Sequence, residues 1–521
     1  MPKKDSASDM NLAMGSKTVN VASYVLIGRI LTFLFTGTAL VIVTRLLGPS
    51  QYGTYTLAIA FGGMFGSIGY FGIGTALNKF VSEYKQASKR DEMGMIISNS
   101  MVLLLISGVV LSAICIVFSS IISQFVFHTG SLSYVIDLVA FYIIASMLFG
   151  SFYDTMIGFG NGKHIALMAA VEAVVQASVS IPLALGGLGA LAPIIGLIIG
   201  YSAGFIIGIS LIFKYNDIVL GRISVSYMKK ILGFAAPIAS YNVFANLTSN
   251  IAIIFLGYFA ISSVIGNVGV ASRAGSLVSV IFDSIGFALL PAFSAALADK
   301  KLKKHLGRIY GYTVYLAMAF VGPLLFYMGI FSDPFSALVF GKSYTYAPFY
   351  ISILCLGLLV GIAGTYAGTL LISANKVRKV FKYNIIVNSI IFALVISLVP
   401  YFGSTAYVLL TFILSPLLLD IFLIRSVAGM FKINFRIRKM TGLILADAFV
   451  SILALPLYYF LNGAALLFTA AVIFAAIYPL AAVIAGGIEK ADTETMISLS
   501  KGIPLAGSAL RAFIRYAEKV M

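Results

Sequence analysis

Gly189-Ala-Leu-Ala-Pro-Ile-Ile-Gly-Leu-Ile-Ile-Gly-Tyr-Ser-Ala-Gly-Phe-Ile-Ile-Gly-Ile-Ser-Leu-Ile-Phe213 runs for twenty-five residues without one charged side chain. As an α-helix at about 1.5 Å per residue, it is longer than the roughly 30 Å of hydrocarbon in a bilayer. Gly196, Gly200, Gly204 and Gly208 recur every fourth residue along it, a smooth face on which a second helix can close in. The rest of the chain has the same character. Of 521 residues, 60% are hydrophobic and 10% are charged, and the mean hydropathy is +1.03. A soluble domain carries roughly 25% charged residues to cover its wet surface. The composition excludes soluble enzymes, DNA-binding proteins and disordered scaffolds. It predicts an all-α polytopic membrane protein.

Fourteen stretches are long enough to cross. They lie near 19–43, 54–78, 95–119, 135–158, 165–187 and 189–213, then 231–259, 265–293, 309–331, 346–371, 381–400 and 404–425, and finally 441–461 and 464–487. The net charge of +17 tests this topology. Taking the loops alternately, 31 of the 35 Lys and Arg fall on the side of the N-terminus. Only Arg45 and Lys342 fall on the other side, and Arg29 and Arg273 lie inside spans. Basic residues accumulate in cytoplasmic loops, so both termini are expected in the cytoplasm and the chain in the cell membrane. The same excess would suggest nucleic acid in a soluble protein; here it is orientation, and no nucleic-acid partner is expected. Residues 1–18 are polar and lack the apolar core of a signal peptide, so the first span is expected to be retained.

An internal repeat organises the spans. Gly74-Thr-Ala-Leu-Asn-Lys-Phe-Val-Ser82 aligns with Gly286-Phe-Ala-Leu-Leu-Pro-Ala-Phe-Ser294, and Asn161 near the end of the fourth span aligns with Asn375 near the end of the tenth. Each copy therefore covers six spans, an even number, and both enter the membrane from the same side. The expected organisation is a cytoplasmic N-tail at 1–18, an N-lobe at 19–213, a linker at 214–230 and a C-lobe at 231–425. Two extra spans follow at 441–487, then a cytoplasmic tail at 488–521 with an interfacial helix near 494–519.

Thr44-Arg-Leu-Leu-Gly-Pro-Ser-Gln-Tyr-Gly-Thr-Tyr55, followed by Ala76-Leu-Asn-Lys-Phe-Val-Ser-Glu-Tyr84, resembles the oligosaccharide and polysaccharide flippases. These belong to the superfamily that also contains multidrug extruders and lipid II flippases. Gly233-Phe-Ala-Ala-Pro237 at the start of the seventh span is similar to that family too. The resemblance covers roughly residues 17–490. It implies two pseudo-symmetric six-helix lobes around a central cavity, working by alternating access. The implied substrate is a lipid-linked oligosaccharide with a phosphate or pyrophosphate linkage.

Charges within a span are costly and mark the protein interior or a wet cavity. Arg29 lies about ten residues into the first span, and Arg273 lies in the eighth beside Ser272, Ser276, Ser279 and Asp283. The guanidinium fork suits phosphate oxygens; the alternative is an ion pair, for example Arg273 with Asp283. For Arg45 and Lys79, nearer the ends of their spans, snorkelling to headgroups is expected. Asn242, Asn246 and Asn250 fall on one face of the seventh span, as a wall for sugar hydroxyls or as links to another helix. Asp154 and Glu172 are candidates for carrying a coupling proton or cation, the alternative being pairing with bases such as Lys163. Pro237 and Pro291 are candidate hinges.

Cys115 and Cys355 lie in apolar runs, and His128, His164 and His305 lie in separate loops, so neither a disulfide nor a metal is expected. No phosphate-cradling Gly-x-x-x-x-Gly-Lys loop is present. The chain reads as a transporter and not an enzyme, without a cofactor, in contact with membrane lipids and functional as a monomer. A cation-coupled multidrug exporter is the second reading and a non-transporting assembly protein the third. An arginine in place of an acid in the first span favours the anionic substrate.

Overall fold

The computed structural model describes residues 5–127, 132–215, 221–489 and 492; over 5–31, 237–242 and most of 280–292 it describes the backbone alone. Among the described residues every regular element is a helix. Contacts divide the chain into two compact units, Met1–Gly266 and Asn267–Met521.

Unit 1 holds α1 (Asp5–Tyr70), α2 (Ile73–Gln86), α3 (Arg90–Val117), α4 (Ser119–Phe127), α5 (Ser133–Phe159), α6 (Gly162–Leu185), α7 (Leu191–Tyr215), α8 (Val225–Phe259) and the start of α9 (Ser262–Ala298). Unit 2 continues α9 and adds α10 (Lys300–Lys303), α11 (Leu306–Ile330), α12 (Ser332–Val339), α13 (Ala347–Val360), α14 (Ile362–Ser373) and α15 (Val377–Val408). A π-helical turn, Leu409–Leu414, leads to α16 (Ser415–Ala428), α17 (Ile437–Ala454), α18 (Leu457–Phe460) and α19 (Gly463–Ile484).

Eight of these helices are long and apolar enough to cross a membrane, and two bent pairs, broken by 44° before α2 and by 45° before α14, bring the number to ten. The fourteen crossings read from the sequence follow when α8 and α9 count once each and two long runs count twice. Those runs are α1, broken at Gly48, and the 52-residue stretch Val377–Ala428, broken at Gly403. The chain is a multi-span, all-helical membrane protein.

The break in α1 explains the motif around it. Gly48 has φ +66°, a conformation that an L side chain rarely adopts, and Pro49 starts the next helix where its missing N–H costs nothing. Gly53 follows because backbone meets backbone there: a Cβ on Gly53 would stand 1.7 Å from the Ser262 carbonyl oxygen, and one on Gly266 would stand 2.0 Å from that of Pro49. Tyr52 and Tyr55 are buried beside the contact, with ring centroids 5.3 Å apart. The glycine face of α7 is likewise a packing face. Gly196 and Gly200 abut Ser180, Gln176 and Glu172 of α6, while Gly204 abuts Phe149 of α5.

The repeat has a conformational basis. The fourth span ends on Gly160 with φ +63°, and the tenth ends on Asn375 with φ +58°. Glycine and asparagine are the residues that end helices in this left-handed form. The sequence match paired Asn161 with Asn375; by conformation the counterpart is Gly160, one residue earlier, while Asn161 caps α6 through a bond from the His164 N–H.

In unit 2 the segment after α19 is held by ions. Asp492, with 2% of its side chain exposed, accepts from Arg436 at 2.5 Å and from Lys439 at 2.6 Å. Lys439 also reaches Glu489 at 2.8 Å, and the Tyr315 hydroxyl donates to the Gly487 carbonyl at 2.8 Å. Burial alone would raise the Asp492 carboxyl, but bonds from Lys439, the Glu489 N–H and Arg436 outweigh it and hold the group below the usual carboxylate range. A group depressed in the folded state stabilises fully above its unfolded pKa of about 3.9 and loses that contribution as pH falls through the folded value. Asp492→Asn is therefore expected to lower the thermal midpoint at pH 7, by an amount equivalent to about 1–3 kcal/mol for charged hydrogen bonds. The gap from wild type should close as pH falls below about 4. A gap that does not change with pH would show that the charge contributes nothing.

Candidate functional site

Two places in the described structure carry ionisable groups singled out by the sequence, at a cavity or on an exposed helix face. The first is a cavity of about 360 Å³ in unit 1, between α1 and α5. Gly62, Gly63 and Gly66 form one wall, where the absence of side chains opens the space, and Tyr142, Phe149 and Tyr153 form the other. Tyr70 and Asp154 also line the cavity, the Tyr70 hydroxyl donating to Asp154 Oδ2 at 2.6 Å. Asp154 is pressed against α2, because a Cβ on Gly74 would stand 1.8 Å from its carboxylate. Among the described residues the carboxylate accepts one hydrogen bond, from Tyr70, in an aromatic, largely apolar enclosure, a setting in which a proton or a cation can balance its charge. The sequence singled out Asp154. It missed Tyr70 and the α1 glycines, although the spacing of Gly62, Gly63 and Gly66 was legible as a bare helix face.

Glu172, the second coupling candidate, is 8% exposed on α6 and packs behind Gly200 and Gly204 of α7; it does not line the cavity. Neither acid forms an ion pair with Lys163 among the described residues. Loss of the phenol in Tyr70→Phe should leave Asp154 without this donor, costing about 1–3 kcal/mol. Thermal unfolding measures this directly, and an unchanged midpoint would show that the bond is not formed in the membrane.

The second place is α9. Arg273, Ser272 and Ser276 are exposed on this helix, while Ala271, Ala274 and Gly275 are buried, Gly275 against Leu354 of α13. Unit 2 therefore packs one face of α9 and leaves the polar face uncovered. The serines are occupied locally: Ser276 donates to the Arg273 carbonyl at 2.8 Å and Ser272 to that of Val268 at 3.0 Å. Asp283 is ten residues on, about 15 Å along the axis. That is too far for an ion pair with Arg273 along one helix, and the Asp283 side chain lies outside the described residues. On α8, Asn246 is exposed, while Asn250 donates to the Asn246 carbonyl at 2.8 Å and packs on Gly63 of α1. The side chains of Arg29, Asn242, Pro237 and Pro291 lie outside the described residues.

Two further buried acids belong to packing in unit 2. Asp420 of α16 is set against Gly364 of α14, where a Cβ would stand 1.7 Å from its carboxylate. Asp447 of α17, 2% exposed, faces Gly322 of α11. One residue on, Pro323 leaves the Ala319 carbonyl without its helical partner, and the Tyr478 hydroxyl supplies the bond at 2.9 Å.

The family model described as "Polysaccharide biosynthesis protein" matches residues 42–348. The chain belongs to this family. The match begins just before Thr44 and spans the motif, the cavity of unit 1 and Arg273. Among solved structures, the fold is similar to that of the lipid II flippase MurJ in an inward closed conformation. The TM-score is 0.71 at 14% identity over 88% of this chain and 98% of the other. A multidrug resistance MATE transporter of the MOP superfamily, in an inward-facing conformation, gives 0.60 at 14% over 78% and 98%. A MOP superfamily transporter from Pyrococcus furiosus, for which a binding pocket of reversed polarity is described, gives 0.55 at 13% over 80% and 96%. No curated protein matches the chain. At these identities the structural likeness is one of fold.

Proposed function

We propose that this polysaccharide biosynthesis protein moves a lipid-linked oligosaccharide from the cytoplasmic to the outer leaflet of the cell membrane by alternating access, without catalysing a reaction. The observation that carries the reading is the uncovered face of α9. Arg273 stands eleven residues into that helix, about 16 Å from its start. Hydrocarbon does not accept a guanidinium at that depth, so the face that bears it is one for a polar, anionic load. Family membership and the likeness to a lipid II flippase support the same substrate class. Arg29 is the proposed partner of Arg273 in holding the phosphate linkage, and Asn242, Asn246 and Asn250 are proposed contacts for sugars. Pro237 and Pro291 are proposed hinges. The charge asymmetry supports a cytoplasmic position for both termini, and one chain is the proposed working unit.

The purified chain in vesicles loaded with a fluorescent lipid-diphosphate oligosaccharide should equilibrate the label between leaflets, read as dithionite-accessible signal. Equal accessibility with and without protein would refute flipping. The cavity of unit 1 favours a second reading, in which Asp154 and its aromatic walls take an organic cation for export. Uptake of a cationic dye in the same vesicles distinguishes the two. In the flippase reading, Asp154 instead carries the coupling proton or cation, and an imposed ion gradient should alter the rate of lipid movement.

A further inference from the structure

At the end of unit 1 from which segment 221–224 enters α8, two lysines share one aromatic ring. Lys79 of α2 stands 4.2 Å from the centroid of the Phe234 ring and 5.1 Å from that of Phe80. Lys230 of α8 stands 5.0 Å from the Phe80 centroid and 5.0 Å from that of Tyr84, and donates to the Tyr84 hydroxyl at 2.5 Å. The rings support one another, Phe80 meeting Phe234 edge-on at 5.4 Å and stacking with Tyr84 at 6.3 Å. This arrangement is anchored. Asn99 of α3 donates to the Arg222 carbonyl at 3.0 Å and accepts from the Ser224 N–H at 2.7 Å, which fixes the entry to α8 one turn before Lys230.

Both lysines are exposed, and neither has a carboxylate within ion-pair distance among the described residues. Glu83 and Glu92 act on Lys230 only through space, and Glu92 pairs with Lys89 at 3.3 Å. The bond to Tyr84 keeps the Lys230 ammonium above its ordinary pKa, so it stays charged. Two cations held around one ring repel each other. The ring faces offset part of that repulsion, and an anion bound between the cations removes the rest. A compact ammonium binds phosphate as a point charge, and two of them match a group with two phosphates. Lys79 directly follows the second span read from the sequence, near 54–78, which is where hydrocarbon is expected to give way to headgroups. The aromatic rings beside the amines suit an apolar chain attached to the phosphate.

We propose that Lys79, Lys230 and the Phe80–Phe234–Tyr84 cluster bind the diphosphate of a lipid anchor at this basic end of unit 1, as a loading site apart from Arg273. The proposal rests on the flippase reading and deepens it by naming where the load is first held.

The chain has no Trp, so Phe234→Trp introduces a single fluorophore into the cluster while keeping an aromatic face for Lys79. The full chain with this reporter, in phosphatidylcholine nanodiscs, is titrated with farnesyl diphosphate, farnesol and inorganic pyrophosphate. Farnesyl diphosphate should change the emission saturably and farnesol should not. Lys79→Gln and Lys230→Gln should each weaken binding about tenfold, as expected for one lost charged contact, and Lys79→Arg should restore it to within threefold. Elution as one symmetric peak and an unchanged thermal midpoint confirm that each variant is folded.

Unchanged affinity in the Lys79→Gln/Lys230→Gln double variant would overturn the proposal. Pyrophosphate binding as tightly as farnesyl diphosphate would overturn its lipid part, leaving free phosphate as the ligand. Phosphatidylglycerol nanodiscs that abolish the response would show that ordinary bilayer phosphate fills the site, which also overturns it. Translocation measured on the same proteins separates the two readings. Lipid binding without any movement by wild type would sink the flippase assignment and leave the site. Movement with lysine-independent binding would do the reverse.

Discussion

Arg273→Ala is expected to lower translocation of a lipid-diphosphate oligosaccharide to background, at least about a hundredfold below wild type, with normal amounts of protein in the membrane. The size follows from the chemistry of the fork. Two charged hydrogen bonds to phosphate contribute about 1.5 kcal/mol or more each, and about 2.7 kcal/mol is a hundredfold. No residue beside Arg273 can replace them. Ser272 and Ser276 are turned to carbonyls of their own helix, and the neighbouring buried positions are Ala271, Ala274 and Gly275. Arg273→Lys keeps the charge and loses the planar fork, so an intermediate loss of about tenfold is expected. Arg29→Ala should behave like Arg273→Ala if the two hold one load. Wild-type rates in both alanine variants would remove the anion-binding role. A fall in protein amount with a normal rate per molecule would instead assign Arg273 to stability.

Gly53→Ala is expected to be the most damaging single-methyl change in unit 1. Its Cβ would stand 1.7 Å from the Ser262 carbonyl oxygen and 3.0 Å from the Gly266 nitrogen, both of them backbone atoms. No rotamer change can relieve such a contact, so α1 and the α8–α9 turn must separate. Overpacking of a fixed contact costs about 1–3 kcal/mol or more, and separating two backbones belongs at the upper end. The check is the thermal midpoint of the detergent-solubilised protein, with Gly37→Ala as the control because nothing lies within 4 Å of a Cβ there. A Gly53→Ala midpoint equal to that of the control would show that the close approach is absent in the membrane.

Much of the fold was legible along the chain because membranes impose local rules. A span must be long and apolar at every position, and its backbone must be satisfied within the helix, so residues 189–213 declare a crossing without reference to anything they touch. Helix ends were legible where only glycine or asparagine tolerates the backbone, as at Gly48, Gly160 and Asn375. The breaks that subdivide long helices were harder to place. The exit of the fourth span was off by one residue in the repeat, since Asn161 is a cap and Gly160 is the turn.

The candidate site was legible only in part. Arg273 stood out because charge inside a span is rare. Asp154 stood out for the same reason, but its partner Tyr70 is 84 residues away on α1 and is one of 28 tyrosines. Lys79 read as a snorkelling side chain; Phe234, the ring beneath it, comes from α8, far along the chain. In lipid the outside of a helix is as apolar as its packed inside, so periodicity does not say which face meets another helix. Span length and the positions where a helix ends on a left-handed backbone are properties of each segment, and the amino-acid order carries them. Which polar groups meet depends on how each helix is rotated about its axis, and that rotation is set by close packing, as where Gly53 admits the Ser262 carbonyl or Gly74 admits Asp154. Only the assembled helices decide it.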